Sequence, residues 1–417
     1  MQQDVNQDNA RKFLNIGTRQ ELDIDRIAFG GLGIGRIQDL VVFVPFAADG
    51  DRLEIEIVDV RRTYATGRIC RILQPSVFRT DPKCLQYRHC GGCQYQHINY
   101  AHQLEIKKKQ VMETFERIGK LPDPPVKEVI PSPEPYGYRG KAEFHVKHKQ
   151  GSTPIIGYKE AAESRIVPVT RCEIVDETIN SALESFRKKL EHASPSAQRM
   201  DNRERKVTFW SDVEKETDVQ GRAAIRKRQV IRQVNGKILL VPVQGFFQAN
   251  HHLVYSMVNH VVSICELSGN ESVLDAYCGS GLFSMFLAPH AKILYGIDFD
   301  EAAILCADDN LRNEGLTNAS FSAGDVAHVL KKLFVKKNKK IDLVILDPPR
   351  VGCGSDVLDC LQRLSPEKIV YISCNPTTQA RDVLQLRSVG YNLRQLQPFD
   401  MFPQTKHIEV VGVLERA

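Results

Sequence analysis

The feature that most constrains the fold is a regular alternation of strand-like and helix-like runs after Gly245. The strand-like runs are Ser272–Ala276, Ile293–Ile297, Leu343–Leu346 and Ile369–Ser373. The helix-like runs between and after them are Ala302–Asn313, Ser355–Leu364 and Thr377–Leu386. Neighbouring parallel strands need a long crossover, which is usually a helix. The alternation therefore predicts an α/β fold with a mainly parallel sheet and helices on both faces.

The rest of the chain predicts two further domains, because 417 residues exceed what one core usually holds. From Glu21 to about Ile72, short alternating runs are separated by glycines, which is typical of a small five-stranded β-barrel of the oligonucleotide-binding type. We interpret the glycines of Gly30–Gly35 as a turn of this barrel, since no helix pattern follows them. We predict a barrel in residues 1–75, a central α+β domain in 76–245 and the α/β domain in 246–417.

Composition bounds the class of protein. A hydrophobic fraction of 42% and a charged fraction of 26% are typical of a soluble globular protein. No apolar run approaches the roughly 20 residues of a membrane helix, and Met1–Gln20 lacks the apolar segment of a signal peptide. We therefore expect a cytoplasmic protein without a membrane partner. The odd count of 11 cysteines favours metal binding or catalysis over disulfides.

Local clusters of basic residues are more informative than the modest net charge of +5. They are Lys107–Lys109, Arg187–Lys189, Arg226–Arg228 and the run from Lys331 to Lys340. A single basic run is usually a solvated face. Several in one chain favour a polyanionic partner such as RNA.

A glycine-rich turn joins the first strand of the α/β series to a helix. This turn, Tyr277–Phe283, lets backbone amides approach a ligand, but it lacks the G-x-G-x-x-G pattern of dinucleotide sites. The second strand leads to Asp298, which can accept hydrogen bonds from ribose hydroxyls, and Asp325 follows the third strand. The fourth strand ends at Asp347, in a D-P-P-R sequence. This set predicts a site for S-adenosylmethionine (SAM) rather than NAD.

Cys374 is a candidate nucleophile, because it ends a strand directly before a helix, where free amides and the helix dipole favour the thiolate. A small buried hydrophobic residue is the plainer alternative. Thiolate addition to carbon 6 of uracil would make carbon 5 able to accept a methyl group, and a base must then remove the carbon 5 proton. Glu409 is the candidate base, although a solvated carboxylate at the end of a strand is the plainer interpretation.

Four motifs together resemble the bacterial RNA 5-methyluridine methyltransferases over nearly the whole chain. They are Phe246–Asn250, Asp347–Arg350, Ser373–Pro376 and His407–Glu409. The resemblance implies that Cys374 is the nucleophile and that Glu409 removes the proton. It also implies that the SAM site includes Gln248, Tyr277, Asp298 and Asp347.

Cys84, Cys90 and Cys93 are spaced C-x5-C-x2-C, and Cys172 follows far downstream. Spacing alone leaves open whether they bind zinc or an iron–sulfur cluster. The spacing resembles the ribosomal RNA branch of the family, which implies a [4Fe-4S] cluster, a barrel of the TRAM type and 23S ribosomal RNA as substrate. The transfer RNA branch is expected to lack both the cysteines and the barrel. We expect the cluster to be structural, because methyl transfer through a thiolate adduct moves no electron.

Two other functions fit parts of the sequence. Methylation of an exocyclic amine would use an aromatic residue where Arg350 stands, and it would leave Cys374 without a role. A non-catalytic RNA-binding or ribosome assembly factor with a relic SAM fold would fit the barrel and the basic runs.

One departure from the family lies at Tyr138–Lys141, where Gly140 replaces a common asparagine; we expect Arg139 and Lys141 to contact phosphate. We also expect a monomer that does not bind DNA.

Overall fold

The computed structural model describes residues 14–147, 154–160, 165–191, 204–211 and 229–417. The basic run Arg226–Arg228 and the start of the chain as far as Phe13 lie outside these ranges. The chain forms two compact units: the first is Met1–Gln110, Gly157–Val169 and Pro403–Lys406, and the second is Val111–Ile156, Thr170–Phe402 and His407–Ala417. The three-part division of the sequence stays a prediction. Within the described ranges, no helix is both long and apolar enough to span a bilayer.

A barrel-like sheet opens the first unit. Its strands are β1 (Arg19–Asp23), β2 (Arg26–Ile27), β3 (Leu32–Ile37), β4 (Leu40–Pro45), β5 (Arg52–Val60) and β6 (Tyr64–Gln74), in the order β1-β5-β6-β4-β3-β2. There are six strands rather than the predicted five, because two residues interrupt the first and split it into β1 and β2. Leu53, Ile55 and Ile57 alternate inward along β5 and are fully buried. This alternation confirms the period-2 pattern.

The glycines of the barrel serve two different purposes. Gly30 and Gly31 form the predicted turn, with φ of +105° and +90°. Gly33 and Gly35 instead lie inside β3. A Cβ atom on Gly35 would lie 2.3 Å from the carbonyl oxygen of Asp23, so β3 can pass this neighbour only with glycine at that position.

The middle of the chain is α+β. Its elements are α1 (Tyr100–Arg117), β7 (Lys141–Lys147), β8 (Ile155–Lys159), β9 (Ile166–Pro168), α2 (Glu177–Glu191), β10 (Arg205–Trp210), β11 (Gln229–Val234) and β12 (Lys237–Pro242). The sequence predicts α1 from an apolar stripe, and the helix is confirmed, but much of its buried face is polar. Gln103 is fully buried and donates hydrogen bonds to Tyr95 O and Ile98 O at 3.1 and 2.8 Å. Such bonds let a helix bury amides that periodicity would assign to solvent.

The α/β series is confirmed. Its elements are α3 (Val254–Cys265), β13 (Ser272–Ala276), α4 (Leu282–Leu287), β14 (Ile293–Asp298), α5 (Glu301–Asn313), β15 (Ala319–Ala323), α6 (Val326–Leu330), β16 (Leu343–Leu346), α7 (Ser355–Leu364), β17 (Lys368–Ser373), α8 (Pro376–Ser388), β18 (Tyr391–Phe399) and β19 (Glu409–Arg416). The sheet order is β15-β14-β13-β16-β17-β19-β18. All neighbours pair in parallel except β19, which is antiparallel to both β17 and β18.

Burial falls from the centre of this sheet to its edge. All four residues of β16 are buried, as expected for a parallel strand covered by helices on both faces. The edge strand β15 has the sequence ASFSA and is half-buried to exposed throughout. The apolar core therefore lies under the central strands, whose carboxyl ends carry the candidate site residues.

Candidate active site

The site lies where the strand order reverses. β13 pairs with β14 on one side and with β16 on the other, so the loops that follow these strands open a crevice at their carboxyl ends. Tyr277 follows β13, Asp298 ends β14 and Asp347 follows β16. Three of the predicted SAM-site residues therefore meet at one edge of the second unit.

The glycine-rich turn has the backbone of a ligand cradle. Tyr277, Gly279 and Gly281 have φ of +68°, +52° and +79°, in the left-handed region that non-glycine residues rarely adopt. The amide of Gly279 donates a 2.9 Å hydrogen bond to Asp298 Oδ2, which ties the turn to the end of β14. A Cβ atom built on Gly279 meets no heavy atom within 4 Å, so this side of the turn faces open space.

The two predicted acids beyond β14 and β15 have different surroundings. Asp298 is buried, and its Oδ1 accepts a 2.9 Å hydrogen bond from the amide of Asp300. Each carboxylate oxygen has a second lone pair, so Asp298 can still accept a hydroxyl. Asp325 is exposed and caps α6 by accepting a 2.9 Å hydrogen bond from the amide of His328. Both lie at the carboxyl edge of the sheet, as predicted.

Two further polar residues lie beneath the turn, and the sequence analysis missed them. Asp275, in β13, is fully buried and accepts a 2.5 Å hydrogen bond from Ser284 Oγ at its Oδ2. Its Oδ1 and the hydroxyl of Ser280 are buried without a hydrogen-bond partner in the described part of the chain. Desolvation raises the pKa of Asp275 to about 7. The sequence signal that could have found Asp275 is an acid directly after the apolar residues Val273 and Leu274 of the strand.

This donor and acceptor set fits SAM. An open glycine cradle suits close approach of backbone to ligand, and buried polar atoms without partners are what a polar ligand satisfies. The chemistry of the residues and the sequence expectation agree on this point.

Gln248 lies in a turn that links β12 to α3 and is buried. In the same turn, Asn250 accepts hydrogen bonds from the amides of His252 and Leu253 at 3.0 and 3.1 Å, and it donates one to Ser132 Oγ at 2.9 Å. Phe246 is 71% exposed. Asn250 thus holds the turn in place beside α3, while Phe246 stays at the surface.

The candidate nucleophile and base meet through strand register. β17 and β19 are antiparallel, and their pairing reaches Ser373 opposite Val410. Cys374 comes directly after Ser373, and Glu409 comes directly before Val410, so both lie at this end of the strand pair. The charge of Glu409 acts on the Cys374 thiol, so the two side chains lie near each other although 35 positions separate them in the sequence.

Burial and neighbouring carboxyl groups raise the pKa values of two acids of the site, Glu409 and Asp347. Desolvation, and then the nearby Asp347, raise the pKa of buried Glu409 well above its usual value. Desolvation, followed by the charges of Asp275 and Asp298, raises the pKa of Asp347 to about 8. Placing several carboxyl groups in one poorly solvated cleft disfavours their ionisation.

The surroundings of Cys374 favour the thiol, contrary to the sequence expectation. Desolvation and then the charge of Glu409 raise the thiol pKa to about 11, whereas the charge and hydrogen bond of Arg350 oppose that rise. The raised pKa differs from the expected thiolate because burial and Glu409 outweigh Arg350. Asn375 caps α8 by accepting a 3.2 Å hydrogen bond from the amide of Thr377. Arg350 supplies the compensating positive charge.

The loop that carries Arg350 is fastened to α8. Asn375 Nδ2 donates a 3.0 Å hydrogen bond to Arg350 O, and Arg381 Nη2 donates one of 3.0 Å to Val351 O. Asp382 is almost fully buried and accepts hydrogen bonds from the amide of Cys353 at 2.8 Å and from Tyr371 Oη at 2.7 Å.

The same residues restrict the backbone of that loop. Gly352 has φ of +78°, and a Cβ atom there would lie 2.6 Å from Asp382 Oδ2. Contacts with α8, the helix that follows Cys374, therefore fix the backbone of the loop between Asp347 and Cys353.

The four predicted metal ligands are divided between the two units. Cys84, Cys90 and Cys93 belong to the first unit and Cys172 to the second, and all four are half-buried. The amide of Gly92 donates a 3.4 Å hydrogen bond to Cys90 Sγ. Among the residues that the structure describes, no group of three or more metal-binding side chains is assembled. The cluster is not confirmed and stays a prediction.

The phosphate contact expected of Arg139 and Lys141 stays a prediction, and Lys141 also has partners within the protein. Lys141 Nζ donates a 2.6 Å hydrogen bond to Gly245 O and lies 4.4 Å from the centre of the Trp210 ring. Burial lowers the pKa of Lys141, which fits a structural role. The departure at Gly140 also has a cause: a Cβ atom there would lie 2.6 Å from Arg232 Nη2 and 2.9 Å from Ser211 Oγ.

Comparison with known proteins identifies the family of this chain. The profile of the tRNA (uracil-5-)-methyltransferase family matches residues 203–417, and that of the TRAM domain matches residues 14–70. An uncharacterized RNA methyltransferase of Clostridium tetani is 32% identical over 430 residues, covering 91% of this chain and 93% of its own. The chain belongs to the RNA uracil-5-methyltransferase family. It is a SAM-dependent RNA methyltransferase of the uracil-5 type with an N-terminal TRAM domain, as the sequence predicts.

Two further relatives place the family on this fold. An uncharacterized RNA methyltransferase of Halalkalibacterium halodurans is 30% identical and covers 95% of this chain and 96% of its own. The solved tRNA (uracil-54, C5)-methyltransferase of Pyrococcus abyssi, in complex with S-adenosyl-L-homocysteine, is 25% identical with a TM-score of 0.72. The match covers 94% of this chain and all of the Pyrococcus abyssi chain. The uncovered 6% of this chain is shorter than its barrel, so the match extends into the barrel. The expectation that tRNA enzymes lack the barrel is therefore wrong for this relative.

We predict that Arg381→Ala slows alkylation of Cys374 by iodoacetamide about threefold to tenfold at pH 8. Loss of the bond to Val351 frees the loop of Arg350, and weaker contact between its guanidinium and the sulfur raises the thiol pKa. Quantitative mass spectrometry of the Cys374 peptide measures the rate.

Two controls accompany this prediction. Arg381→Lys keeps the charge but loses the fork geometry, and Arg387→Ala removes an arginine from the far end of the same helix. Equal alkylation rates in Arg381→Ala and Arg387→Ala would show that Arg381 does not position the loop.

Proposed function

We propose that this chain methylates carbon 5 of a uridine in structured RNA through a covalent bond between Cys374 and carbon 6 of the uracil. One observation supports the proposal: Cys374 follows β17 and Glu409 begins β19 at the edge of the sheet where the proposed SAM-site residues lie. A nucleophile and a base close together are what addition and elimination across one ring bond require.

The reaction balances with these two residues. The Cys374 thiol loses its proton and the sulfur adds to carbon 6, which raises the electron density at carbon 5. When bound, SAM supplies the methyl group to carbon 5. Glu409, as a carboxylate, then removes the proton from carbon 5, the double bond re-forms and the carbon–sulfur bond breaks. Cys374 is regenerated, and one proton leaves for each methyl group gained.

We assign the SAM site to the residues at the carboxyl edge of the sheet. They are Gln248, Tyr277, Asp298, Asp325 and Asp347, together with Asp275. Asp298 would accept hydrogen bonds from ribose hydroxyls. Asp275 would present its unsatisfied Oδ1 from below the glycine turn. Support comes from the geometry of the crevice and from the Pyrococcus abyssi relative, which was solved in complex with S-adenosyl-L-homocysteine.

We propose 23S ribosomal RNA as the substrate, with transfer RNA as the second candidate. The cysteine spacing supports the first. The second is favoured by the Pyrococcus abyssi enzyme, which is a tRNA (uracil-54, C5)-methyltransferase and covers 94% of this chain. Mass spectrometry of 23S and transfer RNA fragments from cells with and without this chain decides between them. Loss of 5-methyluridine from tRNA alone would contradict the first choice.

We further propose that the protein acts as a cytoplasmic monomer.

We also propose that Cys84, Cys90, Cys93 and Cys172 hold a [4Fe-4S] cluster of structural role. Four cysteine thiolates are the usual ligands of such clusters. Hydrogen bonds from backbone amides to the sulfur atoms, like that from Gly92 to Cys90, commonly tune the reduction potential of the cluster. Anaerobically purified protein should contain about four iron and four sulfide ions per chain, as each of the four cysteines ligates one iron. Stoichiometric zinc in a colourless protein would contradict the proposal.

We predict that Glu409→Gln accumulates a covalent protein–RNA adduct in the presence of SAM. Without a carboxylate the carbon 5 proton stays, so the carbon–sulfur bond cannot break. The neutral amide also removes the charge that raises the thiol pKa. A denaturing gel with radiolabelled methyl donor detects the adduct.

The matched control is Glu415→Gln, which changes a half-buried acid of the same strand that is paired with Arg394. It should turn over normally and form no lasting adduct. Cys374→Ala should abolish transfer and adduct while SAM still binds, and Cys70→Ala should change neither. An adduct that persists in the double variant Cys374→Ala, Glu409→Gln would show that another residue attacks the ring.

We predict that kcat/KM rises with pH between 6 and 9. Cys374 and Glu409 must both lose protons to act, and both pKa values are raised, so the active form becomes more populated as pH increases. Tritium release from RNA that carries [5-³H]uridine measures the rate. A maximum below pH 7 followed by a decline would contradict the assignment.

A further inference from the structure

A pocket at the outer edge of the large sheet is unrelated to the catalytic cleft. It has a volume of about 370 Å³ and is lined by Tyr295, Gly296, Ser320, Ser322, Leu333, Phe334, Lys337 and Lys339. This volume is within the range of pockets that bind small molecules or nucleotide-sized groups. The lining combines two lysines, two serines and two aromatic rings, and the lysines come from the basic run that the catalytic proposal leaves unexplained.

The backbone beside the pocket is irregular in a way that brings the lysines together. Residues Lys331–Val335 form a π-helical turn, a rare form that is common at functional sites. Asn338 then adopts the left-handed conformation with φ of +47°, which asparagine tolerates better than most residues. The amide of Lys339 donates a 3.0 Å hydrogen bond back to Phe334 O. The chain therefore folds back, and Lys337 and Lys339 line the same pocket.

Aromatic rings hold the Lys339 ammonium group in place without neutralising its positive charge. Its Nζ lies 3.6 Å from the centre of the Tyr295 ring and 5.2 Å from that of Phe334. A cation–π contact fixes the ammonium but leaves its full positive charge. Lys340, by contrast, is paired with Asp342 at 2.6 Å. Neither Lys337 nor Lys339 has a carboxylate partner within the ranges that the structure describes.

Hydroxyl donors complete the pocket. Ser320 and Ser322 are alternate residues of the edge strand β15, so their side chains share one face of the sheet. Their hydroxyls make no hydrogen bond to the described residues. Two positive charges and two hydroxyl donors around one cavity match the oxygen atoms of a phosphate group.

We infer that this pocket binds a phosphate of the RNA backbone, away from the target uridine. The inference rests on the proposed function, since it assumes an RNA substrate. Four strand spacings separate β15 from β17, so the pocket lies about 19 Å across the sheet from the strand of Cys374. A folded RNA spans that distance easily. The pocket would thus orient the substrate without touching the reacting base.

The test is the double variant Lys337→Gln, Lys339→Gln. Its matched control is Lys332→Gln, Lys336→Gln, which removes the same charge from the same run at exposed residues outside the pocket. The probe is unmodified 23S ribosomal RNA transcript, or unmodified tRNA transcript if wild-type protein methylates that one. We expect the pocket variant to bind the RNA about tenfold more weakly at physiological salt. The slope of log Kd against log salt should fall by about 0.7 to 0.9, since that is what the loss of one phosphate contact removes.

Turnover and cofactor affinity separate the possible outcomes. The pocket variant should raise KM for RNA and leave kcat and SAM affinity near wild type. If both double variants weaken binding equally, the run acts only through its overall charge and the pocket inference is wrong. If wild-type protein forms no 5-methyluridine on either RNA, the proposed function fails instead, and the binding comparison still decides whether the pocket contacts phosphate.

Discussion

The antiparallel pairing of β19 with β17 is the constraint on which the rest of the site depends. In a purely parallel sheet, only the last residues of strands reach the carboxyl edge. An antiparallel strand inserted beside β17 brings its first residue to that edge instead. Glu409 begins β19 for this reason, and it meets Cys374 directly after β17. The neighbouring strand β18 pairs with β19 from the other side, where Phe399 stands opposite Glu409.

This arrangement has an electrostatic consequence. The same burial that excludes water from the target ring also raises the pKa values of Cys374, Glu409 and Asp347. Arg350 is the opposing charge beside the sulfur, and its loop is fastened to the helix that begins after Cys374. Nucleophile and counter-charge are therefore positioned by one element, which explains why so many hydrogen bonds converge on α8.

Much of the α/β domain could be predicted, because each parallel strand is a short apolar run followed by a helix pattern. β13, β16 and α7 match their predicted bounds without a shift. The barrel was also predictable, and its strand count was wrong by one because a two-residue interruption carries no strong sequence signal. The buried face of α1 was less predictable, since Gln103 depends on hydrogen bonds that periodicity does not encode.

The candidate site was predictable in its members and not in its energetics. Sequence position gave Cys374 at a strand end, but the contact with Glu409 required either strand register or resemblance to a family. The thiol pKa was misjudged because burial is its largest cause, and because Glu409 and Arg350 act on it from distant parts of the sequence. Asp275 was missed because a buried acid inside a strand resembles a core position until its unsatisfied oxygen is seen.

The central claim is that the sulfur of Cys374 bonds to the uracil ring during the reaction. RNA substituted with 5-fluorouridine tests it most directly, because fluorine replaces the proton that a base must remove. With SAM present, the account predicts a stable adduct whose mass spectrum places the methylated fluorouridine on the Cys374 peptide. Complete recovery of unmodified Cys374 peptide, with RNA methylated or not, would contradict it.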